Sequence, residues 1–76
     1  MSKGYFAPSV KRAFEILKLV STSKDGVGIS EIARGLDIAK STVHGMTSAL
    51  EEAGVVLRDP VTKRYTLGFT LFELGK

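Results

Sequence analysis

The sequence predicts a mainly α fold with a small β-hairpin: a winged helix-turn-helix built from a three-helix core and a wing, then the start of a further C-terminal helix. Three observations predict it. Apolar residues recur at helical spacing through residues 10–20 and again through 32–50. A three-residue connection, Asp37-Ile38-Ala39, parts the second and third helices. After Gly54 the pattern shifts to two short β-prone runs around a turn that contains Pro60.

Residues 1–8 are polar or mixed and lack periodicity, so they read as a flexible arm. Pro8 and Ser9 open the first helix, with Ser9 as its N-cap. Val10, Ala13, Phe14, Leu17 and Val20 then share the core face. Ile16 and Leu19 widen that stripe beyond one packing face. A generously buried helix and a helix that also meets a second subunit both fit this pattern.

Ser21 to Gly28 is a loop of Ser, Lys, Asp and Gly, and Val27-Gly28-Ile29 suits a brief strand. Ser30 is expected to cap a second helix running to Leu36. Ile32 and Leu36 lie inward, small Ala33 lets the next helix approach, and Ile38 fills the space beneath the turn. A residue in this turn takes positive φ, and Asp37 tolerates that conformation better than most side chains. The third helix runs from Lys40 to about Ala53, buries Val43, Met46 and Leu50, sets Thr47 at the boundary and stops at Gly54.

Residues 55–58 and 64–67 form the hairpin, joined by the turn Asp59-Pro60-Val61-Thr62-Lys63. Tyr65 and Leu67 alternate toward the core. Residues 68–76 carry Phe69, Leu71, Phe72 and Leu74, which suits a short helix or the first turns of a longer one.

Composition bounds what this fold can do. Seventy-six residues make one small domain with a thin core and little room for a deep catalytic cavity. There are no cysteines and one histidine, which excludes disulfides and the usual structural zinc sites; no metal and no cofactor is expected. The net charge of +3 permits a polyanionic partner without requiring one. No apolar run approaches the roughly 18 residues of a membrane span, and no apolar signal core follows Met1, so a cytoplasmic protein is expected.

With Val43, Met46 and Leu50 inward, the third helix turns Lys40, Ser41, Thr42, His44, Gly45 and Ser48 outward. A helix entering the major groove N-terminus first needs such short, hydrogen-bonding side chains, so that its backbone can approach the base edges. Ser41, Thr42, His44, Gly45 and Ser48 are the candidate base-reading residues. Lys40 at the helix start and Arg58, Lys63 and Arg64 on the wing are the candidate phosphate contacts. Lys3, Lys11 and Arg12 are lesser candidates for the same task. Ser41 and Thr42 taken singly also suit ordinary helix-start chemistry. His44 near Ser48 and Asp37 does not make a catalytic site in a domain without a deep pocket. The competing reading is a winged-helix module for protein–protein contact, which would call for an apolar or acidic third-helix face.

The run Glu31-Ile32-Ala33 followed by Lys40-Ser41-Thr42-Val43-His44 closely resembles the N-terminal domain of IclR-type bacterial transcriptional regulators. Val10-x-Arg12-Ala13, Ile16-Leu17, Arg58-Asp59-Pro60, Arg64-Tyr65-x-Leu67-Gly68 and Leu71-x-Glu73-Leu74-Gly75 extend the likeness from Ser9 onward. The resemblance implies an operator-binding domain of a homodimer or homotetramer, on double-stranded DNA. It makes residues 9–67 the DNA-binding domain and residues 68–76 the start of a linker helix. A small-molecule effector is expected only for a C-terminal domain that this chain does not include, so the chain reads as a domain fragment. Asp37 and Ala39 stand where the family commonly has Gly and Pro, and Gly45 stands where it often has Arg. Gly45 removes a side chain able to hold guanine bidentately and lets the backbone come closer.

Overall fold

The computed structural model describes residues 8–68. The expectations for the arm at residues 1–7 and for the linker segment at 69–76 lie outside them. Three helices, α1 (Pro8–Thr22), α2 (Ile29–Leu36) and α3 (Lys40–Glu52), precede two strands, β1 (Val56–Arg58) and β2 (Tyr65–Leu67). The strands form one antiparallel hairpin with Val56 opposite Leu67 and Arg58 opposite Tyr65. The winged helix-turn-helix is therefore present.

The core gathers Ile16 and Val20 from α1, Ile32 and Ala33 from α2, Val43 from α3, Val56 from β1 and Tyr65 from β2. Every element contributes, so no part of this thin core can be removed without opening the rest. Full burial of side chains the size of Ile16, Ile32 or Val43 stabilises the fold by about 1.5–3 kcal/mol each.

The face of α1 differs from the one expected. Its buried positions are Ile16 and Val20, with Ala13 and Leu17 half-buried, whereas Val10 is 43% and Phe14 55% exposed. The stripe thus centres on Ile16, a position the sequence reading treated as surplus. A 3.6-residue period fits either choice, and only the packing of α2 and β2 against one side selects between them. Pro8 and Ser9 are both helical, so Ser9 is not the N-cap and residue 8 does not belong to the arm.

At α2 the expected cap also moves. Gly28 is the N-cap, and Ser30 lies inside the first turn. The Glu31 carboxylate accepts the Gly28 N–H at 2.9 Å, closing the helix start from within. The brief strand expected at 27–29 reduces to one antiparallel bridge between Val27 and Tyr65. Asp37 adopts φ 57° and ψ 50°, the left-handed conformation the turn requires, and the Ile38 N–H reaches the Ala33 carbonyl at 3.0 Å.

In α3 the buried residues are Val43 and Thr47. Thr47, expected at the boundary, is wholly buried, while Met46 and Leu50 are half-buried. Its hydroxyl donates to the Val43 carbonyl at 2.9 Å, so a polar atom enters the core already satisfied. Gly54, at φ 80°, ends the helix. Its N–H reaches the Glu51 carbonyl at 3.0 Å and the Val55 N–H reaches Leu50 at 2.9 Å, the paired bonds of a left-handed C-terminal cap.

Candidate nucleic-acid interface

The packing of Val43 and Thr47 fixes which side of α3 meets solvent. Ser41, Thr42, His44, Gly45 and Ser48 are all exposed, together on the outer face with Lys40 at the helix start. The N-cap of α3, Ala39, offers no side-chain hydrogen bond. The first amides of α3 therefore stay open to an outside acceptor, where the helix dipole favours an anion.

Several hydroxyls among the described residues are used within the protein. Ser21 donates to Lys18, Thr22 to Leu19 and Thr47 to Val43, each satisfied by its own helix. Among the described residues, no hydrogen bond joins the hydroxyls of Ser41, Thr42 or Ser48 to the rest of the protein. Ser41 and Thr42 lie in the first turn of α3 and make no capping hydrogen bond. Their donors and acceptors face outward and are unused.

Gly45 adds to this surface. A Cβ placed there would meet nothing within 4 Å, so the fold gives no reason for glycine at this position. A glycine within an exposed helix costs about 0.5–1 kcal/mol relative to alanine. What it provides is a flat patch between Ser41, Thr42 and Ser48 where another surface can approach the backbone.

The hairpin tip is held tightly. The Asp59 carboxylate accepts the Val61 and Thr62 amides at 2.7 and 3.2 Å. The Lys63 N–H reaches the Asp59 carbonyl at 2.8 Å and the Asp59 N–H reaches Arg64 at 2.9 Å. This geometry puts Lys63 at φ 65°, a left-handed conformation that a lysine adopts at some cost. Val61, at the tip, is 85% exposed.

The four cations expected on phosphates are not alike. Lys40, Arg58 and Lys63 are exposed and form no ion pair among the described residues. Arg64 is half-buried: its Nε donates to the Gly26 carbonyl at 3.1 Å and its Nη2 to Glu31 at 2.9 Å. Arg58, Lys63 and Arg64 border one open cleft of about 410 Å³, closed on its other side by Gly28, Ser30 and Glu31 at the start of α2. His44 does not line it. Arg12 pairs with Glu15 at 3.2 Å, which leaves it less free for an outside anion than Lys11.

Glu31 is the position whose partners sequence reasoning missed. The Gly28 N–H, and then the Arg64 guanidinium with Arg34 beyond it, outweigh desolvation and hold its carboxyl below the ordinary value of 4.5. Its spacing three residues after Gly28 was the available signal. The partner, Arg64, lies too far along the chain for any local pattern to indicate.

Comparison with known proteins agrees with this fold. The IclR helix-turn-helix domain matches residues 9–60. The glycerol operon regulatory protein of Streptomyces coelicolor is 39% identical over 67 residues, covering 88% of this chain and 26% of that protein. The HTH-type transcriptional regulator XynR of Escherichia coli is 33% identical over 67 residues, covering 88% of this chain and 27% of its own. Among solved structures, an IclR transcriptional regulator from Alicyclobacillus acidocaldarius aligns with a TM-score of 0.88 at 39% identity, covering 93% of this chain and 29% of that one. The Thermotoga maritima IclR structure aligns with a TM-score of 0.81, also at 39% identity, over 88% of this chain and 27% of its own. The chain thus spans about a quarter of the length of the curated relatives it matches.

Proposed function

Because this chain belongs to the IclR helix-turn-helix domain family, we propose that it binds double-stranded DNA sequence-specifically, as the operator-reading domain of a transcriptional regulator. The relatives are transcriptional regulators, and the reading concerns which residues of this chain carry recognition. The observation that supports it most is the set of unused hydroxyls at Ser41, Thr42 and Ser48 around a glycine that the fold does not need.

Ser41, Thr42, His44 and Ser48 read base edges in the major groove, and the flat surface at Gly45 sets how deep α3 sits. Lys40, Arg58 and Lys63 neutralise phosphates beside it. Arg64 sits among the wing cations, but two of its donors are engaged within the protein. In the longer protein the domain works as a dimer or tetramer. The apolar Val10 and Phe14, exposed on α1, suit an inter-subunit face. The remaining length of such a protein senses a small molecule.

Titration of the chain with a random-sequence duplex at low and then rising salt tests the DNA reading. Binding is expected to weaken with a log–log slope of about 0.9 per phosphate contact, so about three contacts from Lys40, Arg58 and Lys63 give a slope near −3. No binding even at low salt contradicts it and points to a protein-contact module instead.

A further inference from the structure

The wing is fastened to the start of α2 by more than its hairpin. β2 pairs with β1 on one edge and with Val27 on the other, where Val27 and Tyr65 exchange both backbone bonds at 3.1 and 2.8 Å. Arg64 extends this lock by one residue. Its guanidinium bonds the Gly26 carbonyl and Glu31 together, and the same Glu31 oxygen accepts the Gly28 N–H. One side chain thus ties the base of the wing to the loop before α2 and to the first turn of α2.

From this geometry we propose that Arg64 and Glu31 are positioning residues, whose ion pair sets the angle of the wing to the helix-turn-helix before DNA arrives. The proposal rests on the DNA-binding reading and deepens it. Arg64 raises affinity by placing Lys63 and Arg58 against the duplex, and it is not itself a phosphate ligand. The planar guanidinium is what makes this possible. Two donors at fixed spacing meet two acceptors on different segments, which a lysine ammonium cannot reproduce. Lys63 and Arg58, by contrast, form no ion pair among the described residues.

The two roles of Arg64 differ in sign under substitution. Wild type, Arg64→Lys and Glu31→Gln are compared on a duplex selected from a random pool by the wild-type chain, and on an unselected duplex of equal length. Glu31→Gln keeps an acceptor for Gly28 while removing the charge that holds Arg64. If the pair positions the wing, both variants bind the selected duplex about threefold or more weaker. The unselected duplex weakens alongside it, because Lys63 and Arg58 contact phosphates, the salt slope stays as in wild type, and amide exchange at Val27 and Tyr65 quickens. If Arg64 is a phosphate ligand, Arg64→Lys binds as wild type does. Glu31→Gln then tightens both duplexes, because an acid has gone and Arg64 is released. That result, or unchanged exchange at Val27 and Tyr65, overturns the positioning role. A wild-type chain that binds neither duplex overturns the DNA reading itself, and this proposal with it.

Discussion

Val27 and Tyr65 exchange their backbone N–H and carbonyl groups at 3.1 and 2.8 Å, so the loop before α2 forms a third, one-residue strand on the wing. Tyr65 is at the same time almost wholly buried in the core. The wing is therefore continuous with the helix-turn-helix and does not hang from it by two strand ends.

Gly26 is what allows that contact. It sits at φ 88°, and a Cβ there would lie 3.0 Å from the Tyr65 carbonyl oxygen and 3.1 Å from the Arg64 Cβ. Gly26→Ala is expected to destabilise the domain by about 1–3 kcal/mol, from backbone strain and the displaced bridge together. Thermal unfolding measures the loss, and faster amide exchange at Val27 and Tyr65 locates it.

Gly45 is expected to behave in the opposite way. Gly45→Ala meets no neighbour within 4 Å and should stabilise α3 by about 0.5–1 kcal/mol. The same methyl stands on the face proposed to meet DNA, so affinity for a selected duplex should fall while the melting temperature rises. A rise in both would place Gly45 outside the interface.

How much of this was legible in the sequence depends on the range of each interaction. The helices, the Asp37 turn, the Gly54 stop and the hairpin follow from local chemistry, and each was readable. The outward set on α3 was readable too, because Val43 fixes its opposite face. Which side of α1 is buried was not, since Phe14 and Ile16 are equally apolar and only distant partners choose between them. Thr47 was misplaced because a threonine looks amphipathic until its hydroxyl is seen to close on the Val43 carbonyl. The link from Arg64 to Glu31 spans 33 residues, beyond any periodicity.

Lys63 separates stability from binding. Glycine at its φ of 65° relieves backbone strain, so Lys63→Gly should stabilise the hairpin by up to about 1 kcal/mol. It also removes one cation from the wing. Affinity for any duplex should fall, and the salt slope should become shallower by about 0.9. Unfolding curves and salt titrations on the same preparation check both halves.

Acid should loosen the wing. The folded-state carboxyl of Glu31 lies below its ordinary value of 4.5, so its contribution to stability is present above that value. It is lost as pH falls through the lowered folded value, when protonation weakens the bond from the Gly28 N–H and ends the pairing with Arg64. Glu31→Gln should remove this part of the acid dependence and leave the rest of the profile unchanged, as measured by thermal unfolding between about pH 6 and 3.

Recognition by the outer face of α3 is tested most directly by one comparison of affinities. The wild-type chain and the Ser41→Ala, Thr42→Ala double variant are titrated with a duplex selected by the wild type and with an unselected duplex. Both hydroxyls are exposed and have no hydrogen-bond partner among the described residues, so the variant should melt within about 0.5 kcal/mol of wild type. Affinity for the selected duplex should fall about tenfold, as expected for the loss of two hydrogen bonds to bases, and affinity for the unselected duplex should fall far less. Equal affinities for the selected duplex in a folded variant would contradict the assignment of these residues to base reading.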